Sequence, residues 1–234
     1  MSQSLQEQYV NRGIGHAICR LIAENGPSGI VYASSRAGVD LALHSTRGVY
    51  FRYAILDLTN PSSIEHLAWI IKDEQGDMDV LFNVAGLNIM KPRTGSRAFA
   101  DNKKIMDVNF HGTLQMCLAF LPIMKPGSRI QSAKGSRAAQ DGWPESGYSV
   151  SKACINAMTA IMAREHADIL VNACCPGWVS TEMGKQVGAQ PPKSAIEGAS
   201  IPLRLGFEDI GHVRGRYWAN DFVGDTDNGR VQNW

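Results

Sequence analysis

Tyr148 and Lys152 stand four residues apart in the stretch GYSVSK. At the start of a helix, that spacing puts both side chains on one face. An ammonium close to a phenol favours the phenolate and draws its pKa from about 10 toward neutrality. A general acid–base working on a carbonyl/alcohol pair requires such a group. A second group lies near the amino end, where Gly13 and Gly15 open a segment in which Ile14, Ala17, Ile18, Leu21 and Ile22 recur at helical spacing. The free N–H groups and positive dipole end of such a helix suit a diphosphate. Arg12 in this turn and Arg36 after the run GIVYASS stand where cations would meet a ribose 2′-phosphate. No acidic residue ends that run, where an NAD site would place one on the ribose hydroxyls, so the pattern favours NADP over NAD.

These residues need elements to hold them. Strand-like apolar runs at 29–35, 48–58, 78–86, 127–133, 168–177 and 215–223 alternate with helical periodicity over 13–25, 61–75, 97–121 and 147–166. Pro61 after Asn60 marks one helix start, with Ile64, Leu67, Ala68 and Ile71 on a common face. The alternation predicts an α/β fold, a doubly wound, mostly parallel sheet of Rossmann type. Its first, central strand would fall in SQSLQEQ, which holds one Leu and no β-branched residue, so that strand is degenerate or missing. The Gly- and Pro-containing segment 184–200 is expected to form a mobile lid.

The 234 residues, 44% of them hydrophobic, suffice for one sizeable core and one domain, residues 1–234. With 23 basic and 22 acidic residues the chain carries no electrostatic footprint for nucleic acid or an anionic membrane. No apolar run approaches membrane-spanning length, and no signal peptide opens the chain. The five cysteines lack metal-ligand spacing and read as reduced, mostly buried thiols, with Cys174 and Cys175 serving packing. A cytoplasmic protein without a metal is expected.

The ordered succession NRGIG, LDLTN, DVLFNVAG, MDVNFHGTL, Tyr148-x-x-x-Lys152 and NACCPGWVSTEM resembles the classical short-chain dehydrogenases/reductases. NACCPGWVSTEM followed by EGA and the terminal RVQNW is most similar to their carbonyl reductase branch. The resemblance runs from about residue 11 to Trp234. It implies that Tyr148 protonates a substrate carbonyl, that Lys152 binds the nicotinamide ribose and lowers the Tyr148 pKa, and that Asn109 holds a proton-supply water. By the same resemblance, Arg12, Gly13, Ile14 and Gly15 would receive the pyrophosphate. Asp57 would meet the adenine, and Asn83 and Gly86 would line the adenosine side. Pro176, Gly177, Val179 and Thr181 would shape the nicotinamide pocket. For Asn109 and Asp57, a helix-interior hydrogen bond and a turn cap are the competing readings.

Three departures from the family pattern cluster. Its first loop glycine falls on Tyr9, its second adjacent asparagine is Val84, and its catalytic serine position is Gly135, one residue from Ser136 and three from Ser132. A one-residue loop shortening would make Ser136 the oxyanion donor, worth about 2–4 kcal/mol. The leading expectation is an NADPH-dependent reduction of a ketone or aldehyde. Two alternatives stay open. One is a redox-neutral isomerase, cyclase or dehydratase that binds no cofactor; the other is a binding protein without turnover. An N-terminus from an altered transcript would also account for the damaged loop. Trp143, Pro144, Trp178, Met183, Val187 and Pro191 could wall an aromatic or polycyclic substrate. The helices over 97–121 and 147–166, with Ala153, Ala157 and Ala160, could pair protomers into a dimer or tetramer, and a monomer fits as well.

Overall fold

The computed structural model describes residues 12–45, 47–89, 96–133 and 146–234. Helix α1 (Gly13–Asn25) buries Ala17, Ile18, Ile22 and Ala23 on one stripe. It ends where the Gly26 N–H donates to the Ile22 carbonyl at 2.8 Å. Strands β1 (Gly29–Ser35) and β2 (Val49–Ile55) follow, running parallel. Helix α2 (Pro61–Gln75) starts as its sequence dictates. The Asn60 side chain accepts from the Ser62 N–H, Pro61 supplies the preset first turn, and Gly76 at φ +81° stops the helix.

Strand β3 (Met78–Asn83) leads to a long rod. Helix α3 (Ser96–Met106) passes into a π-helical turn (Asp107–Gly112) and then α4 (Thr113–Phe120). The continuous helix expected over 97–121 is therefore corrected, because it carries a wide turn in its middle. Gly112 explains part of the close packing there, since a Cβ on it would lie 2.8 Å from the Leu58 carbonyl oxygen. After a 3₁₀ turn (Leu121–Ile123) come β4 (Met124–Ala133), α5 (Gly147–Glu165) and β5 (Leu170–Cys174). The last elements are the short α6 (Glu182–Lys185), α7 (Ala195–Phe207), β6 (Tyr217–Ala219) and β7 (Arg230–Gln232).

Helix α7 corrects the lid expectation over 184–200. Ser194 and Glu197 form a reciprocal capping box, with the Ser194 side chain accepting from the Glu197 N–H at 3.2 Å and the Glu197 carboxylate accepting from the Ser194 N–H at 2.7 Å. Just ahead of it, Lys193 is stitched to residues 178–180: the Ser180 N–H donates to the Lys193 carbonyl at 2.7 Å. The carboxyl-terminal part of that segment is thus a capped helix on an anchored base.

The strands make two sheets, β2-β1 and β3-β4-β5-β6-β7, parallel throughout except for the antiparallel β6–β7 pair. Helices α2, α4 and α5 cover one face, around Ile64, Leu67, Phe120, Ile130, Ile155 and Val171. Helices α1 and α7 pack together on the other. This is the doubly wound α/β architecture. Among the described residues no strand precedes α1, and β1 and β3 face each other across a cavity of about 800 Å³ instead of pairing. Residues 1–11, with Tyr9, lie outside the described residues, as do Gly135, Ser136, Trp143 and Pro144.

Candidate active site

The carboxyl ends of β3, β4 and β5 converge with the amino ends of α1 and α5, as the connectivity of a doubly wound sheet requires. Gly13 and Gly177 each have a steric reason. Gly13 adopts φ +56°, and a Cβ on it would come within 3.2 Å of the Thr181 methyl. Gly177 adopts φ +85°, with its missing Cβ 2.5 Å from the Val223 carbonyl oxygen and 3.3 Å from Lys193 Nζ. Lys193 is fully buried behind it, and desolvation holds its pKa below the ordinary lysine value. A Cβ on Gly86 would lie 3.5 Å from Lys152 Nζ and 3.6 Å from Asn109 Oδ1. The loop after β3 thus lies beside the Lys152 ammonium at ordinary contact distance.

Ile14, Gly86, Tyr148, Lys152, Pro176, Gly177, Val179 and Thr181 line one cavity of about 300 Å³. These residues come from four separated stretches of chain. Lys152 is buried, its ammonium donating to the Ala133 carbonyl at 3.1 Å and lying 5.6 Å from the centre of the Tyr148 ring. Thr181 caps α6, accepting from the Gly184 N–H at 3.1 Å.

Asn109 sits in the π-helical turn and is 1% exposed, so its amide must be satisfied internally. It accepts from the Leu87 N–H at 2.7 Å and donates to the Leu87 carbonyl at 2.9 Å and to Ser151 Oγ at 3.0 Å. Ser151 in turn donates to the Tyr148 carbonyl at 2.7 Å. One amide side chain thereby couples the Gly86–Leu87 loop to the first turn of α5. Such turns recur where a helix must aim a side chain at a site.

Tyr148 departs from expectation. Its ring packs partly buried against the main core, and burial pushes the phenol above its ordinary value, with Cys175 adding to the rise. The lowering expected from Lys152 is outweighed by desolvation of the phenol; the ammonium lies 5.6 Å from the ring centre and donates to the Ala133 carbonyl. The buried phenol is thus a neutral proton donor across the physiological range.

Other expected site residues lie elsewhere. Asn83 turns its amide to Cys117 Sγ at 3.5 Å and Ser132 Oγ at 3.4 Å, tying β3 to β4 and lining the large cavity. Ser132 is 1% exposed within this sheet contact. Asp57 accepts from the backbone N–H and hydroxyl of Thr59 at 2.9 and 2.7 Å, the arrangement of a turn cap. Arg36 is exposed at the carboxyl end of β1, Gly15 is buried beside the large cavity, and Arg12 precedes the first turn of α1. Sequence reasoning missed Asn88, Ala133, Gly184 and Val223, which also line the small cavity, and the buried Lys193. For the start of α7, just after Lys193, a signal existed, the Ser194-x-x-Glu197 capping box.

A buried ammonium beside a neutral phenol, a side-chain-free loop over the ammonium, and a helix amino end at the cavity rim (Ile14) fit the nicotinamide–ribose half of a dinucleotide. Fold and site together define an oxidoreductase-type α/β domain. Residues 10–192 match the model of the short chain dehydrogenase family, and the chain belongs to that family, near its carbonyl reductase branch. It is 29% identical to carbonyl reductase [NADPH] 1 of Mus musculus and 31% identical to carbonyl reductase [NADPH] 3 of the same organism; each alignment covers 83% of this chain and 87% of the relative. Among solved structures it superposes on the carbonyl reductase Sniffer of D. melanogaster with a TM-score of 0.76 at 20% identity, covering 96% of each chain. The NADPH-dependent 3-quinuclidinone reductase of Rhodotorula rubra gives a TM-score of 0.77 at 20% identity, over 92% of this chain and 87% of that one.

Proposed function

We propose that this chain is an NADPH-dependent carbonyl reductase in which the Tyr148 hydroxyl protonates the oxygen of a ketone or aldehyde. The observation that carries this reading is the small cavity in which Tyr148, kept neutral by burial, and the buried Lys152 ammonium share one wall. The names of the two mouse relatives support the cofactor and the substrate class. NADPH bound there would supply the hydride. Lys152 binds the ribose hydroxyls, Arg12 and Arg36 meet the 2′-phosphate, and the N–H groups of Gly13, Ile14 and Gly15 meet the pyrophosphate. Asp57 and Asn83 belong to the adenosine side, and Gly86, expected there too, instead lies with Lys152 where the nicotinamide ribose would sit. Pro176, Gly177, Val179 and Thr181 shape the nicotinamide pocket, and Ser136 donates to the carbonyl oxygen. Asn109 fixes the loop that Lys152 works against and holds the water that resupplies the proton. Trp178, Met183 and Val187 offer apolar surface to an aromatic or polycyclic substrate. The whole chain works as one domain of a cytoplasmic enzyme.

The cavity between β1 and β3 favours a second reading, a redox-neutral acid–base enzyme that uses Tyr148 without nucleotide. Titration with NADPH and NADH, followed by tryptophan fluorescence and calorimetry, separates the two. Micromolar NADPH binding with weaker NADH, and loss of ketone reduction in Tyr148→Phe with binding retained, is the expected result. Absence of binding at millimolar nucleotide overturns the reductase and leaves the redox-neutral enzyme, whose turnover Tyr148→Phe would abolish, and the binding protein, which would tolerate that change.

A further inference from the structure

Lys193 is a charged side chain that the proposed reduction leaves without a role. It is 1% exposed, yet among the described residues no hydrogen bond or ion pair engages its Nζ. The groups that act on it through space are the Cys175 thiol and the carboxylates of Glu197, Asp225 and Asp227. Holding an ammonium out of water in this way is costly, so the chain around it must be firmly fixed. Val179 and Lys193 form a parallel β-bridge, the Ser180 N–H donates to the Lys193 carbonyl at 2.7 Å, and the Lys193 N–H donates to the Trp178 carbonyl at 3.3 Å. From that anchor the side chain runs behind Gly177, where a Cβ would lie 3.0 Å from Lys193 Cδ and 3.3 Å from Nζ. The loop after β6 closes the same spot, with the Trp178 N–H donating to the Val223 carbonyl at 2.9 Å. Gly177, Trp178, Val179 and Val223 all line the small cavity. The Gly177 backbone, bare of a side chain, thus stands between the ammonium and the space that the cofactor ring would fill.

We infer, resting on the reductase reading of this cavity, that the buried Lys193 ammonium makes the site discriminate between the two oxidation states of the nucleotide, holding NADPH and repelling NADP⁺. A nicotinamide ring is neutral when reduced and carries a positive charge once its hydride has left with both electrons. Lys152 sets one positive charge in the cavity wall, and Lys193 adds a second from behind Gly177, shielded from solvent. Asp227, which offsets that charge, is exposed, and solvent screening weakens it. Across about 10 Å of partly desolvated protein, two like charges repel enough to shift an equilibrium on the order of tenfold. Oxidised nucleotide would therefore leave readily, which favours carbonyl reduction over alcohol oxidation.

The test measures Kd for NADPH and for NADP⁺ by calorimetry on the full chain, in the wild type, Lys193→Met, Lys193→Arg and Asp227→Asn. The readout is the ratio of the two constants, which needs no turnover. The wild type should favour NADPH, and Lys193→Met should lower that preference about tenfold, chiefly by tightening NADP⁺. Lys193→Arg keeps the charge and should stay within about twofold of the wild type. Asp227→Asn removes an offsetting charge and should widen the preference by about twofold. A lysine with a purely structural role would weaken both nucleotides alike in Lys193→Met and leave the ratio unchanged, a result that overturns the proposal. So does a preference that stays level or falls in Asp227→Asn. Because Asp227 is exposed, that variant decides the matter even where Lys193→Met does not fold. Absence of binding of both nucleotides to the wild type at millimolar concentration is a separate failure, which overturns the reductase reading and this proposal with it.

Discussion

Replacing Gly13 by Ala tests the joint between α1 and the segment after β5. At φ +56° an Ala costs about 1–2 kcal/mol more than Gly, from the crowding of Cβ against the following carbonyl. Its Cβ would also stand 3.2 Å from the Thr181 methyl, and moving that methyl aside adds about 1 kcal/mol. The single variant should therefore lose about 2–3 kcal/mol. In a Thr181→Ser background the methyl is gone, while the hydroxyl that caps α6 through the Gly184 N–H remains. There the same substitution should lose only the backbone part, so the cycle carries a coupling of about 1 kcal/mol. Urea melts of the four proteins measure it, with a midpoint shift of about 1 M for the single variant at a slope of about 2–3 kcal/mol/M. Equal losses in both backgrounds would refute the contact, and a neutral Gly13→Ala would refute the backbone conformation.

Asn109→Ala should cost about 2–4 kcal/mol, because it strips partners from the Leu87 N–H and carbonyl at a buried position; chemical denaturation checks this, and a loss under 1 kcal/mol would argue against the clamp. Tyr148 holds its proton more tightly folded than unfolded, so the stability it contributes is complete below about pH 10 and is lost as pH rises through its raised folded value. Absorbance titration at 295 nm should accordingly show no amplitude missing from Tyr148→Phe between about pH 9 and 10.5, and missing amplitude at higher pH. Cys19 and Cys117, buried and pushed up to about 12, should resist a disulfide reagent until the protein unfolds, with the partly exposed Cys154 reacting first.

The residues legible in the sequence were those governed by local rules. The periodic stripe of α1, and the Asn60-Pro61 start and apolar face of α2, place both helices at the expected bounds. The expectation of a degenerate first strand in SQSLQEQ falls on residues outside the described ones. What eluded local reasoning depends on distant chain. The π-helical turn carries Asn109, whose partner Leu87 is twenty-two residues away, and nothing in DVNFHG signals it. The effect of Lys152 on Tyr148 was expected from helical spacing alone. The Ala133 carbonyl, contributed by β4, takes the ammonium that spacing assigned to the phenol. Helix α7 was missed, because the Gly, Pro and Gln residues just ahead of it led 184–200 to be read as a lid although Ser194 and Glu197 form a capping box.

The π-helical turn also has a mechanical meaning for the rod α3–α4. An α-helix advances about 100° per residue, so one residue more or less in the rod rotates everything beyond it by that angle. Asn109 faces Leu87 and Ser151, whereas Met116 and Phe120, about two and three turns further on, face the apolar cavity between the sheets. The wide turn acts as a phase shifter that lets one continuous helix serve two different azimuths. Removing a single residue between Asp107 and Gly112 would tighten it to an ordinary helix. The polar clamp and the apolar wall would then compete for alignment, so that this rod tolerates substitution along its length far better than a change in its count of residues.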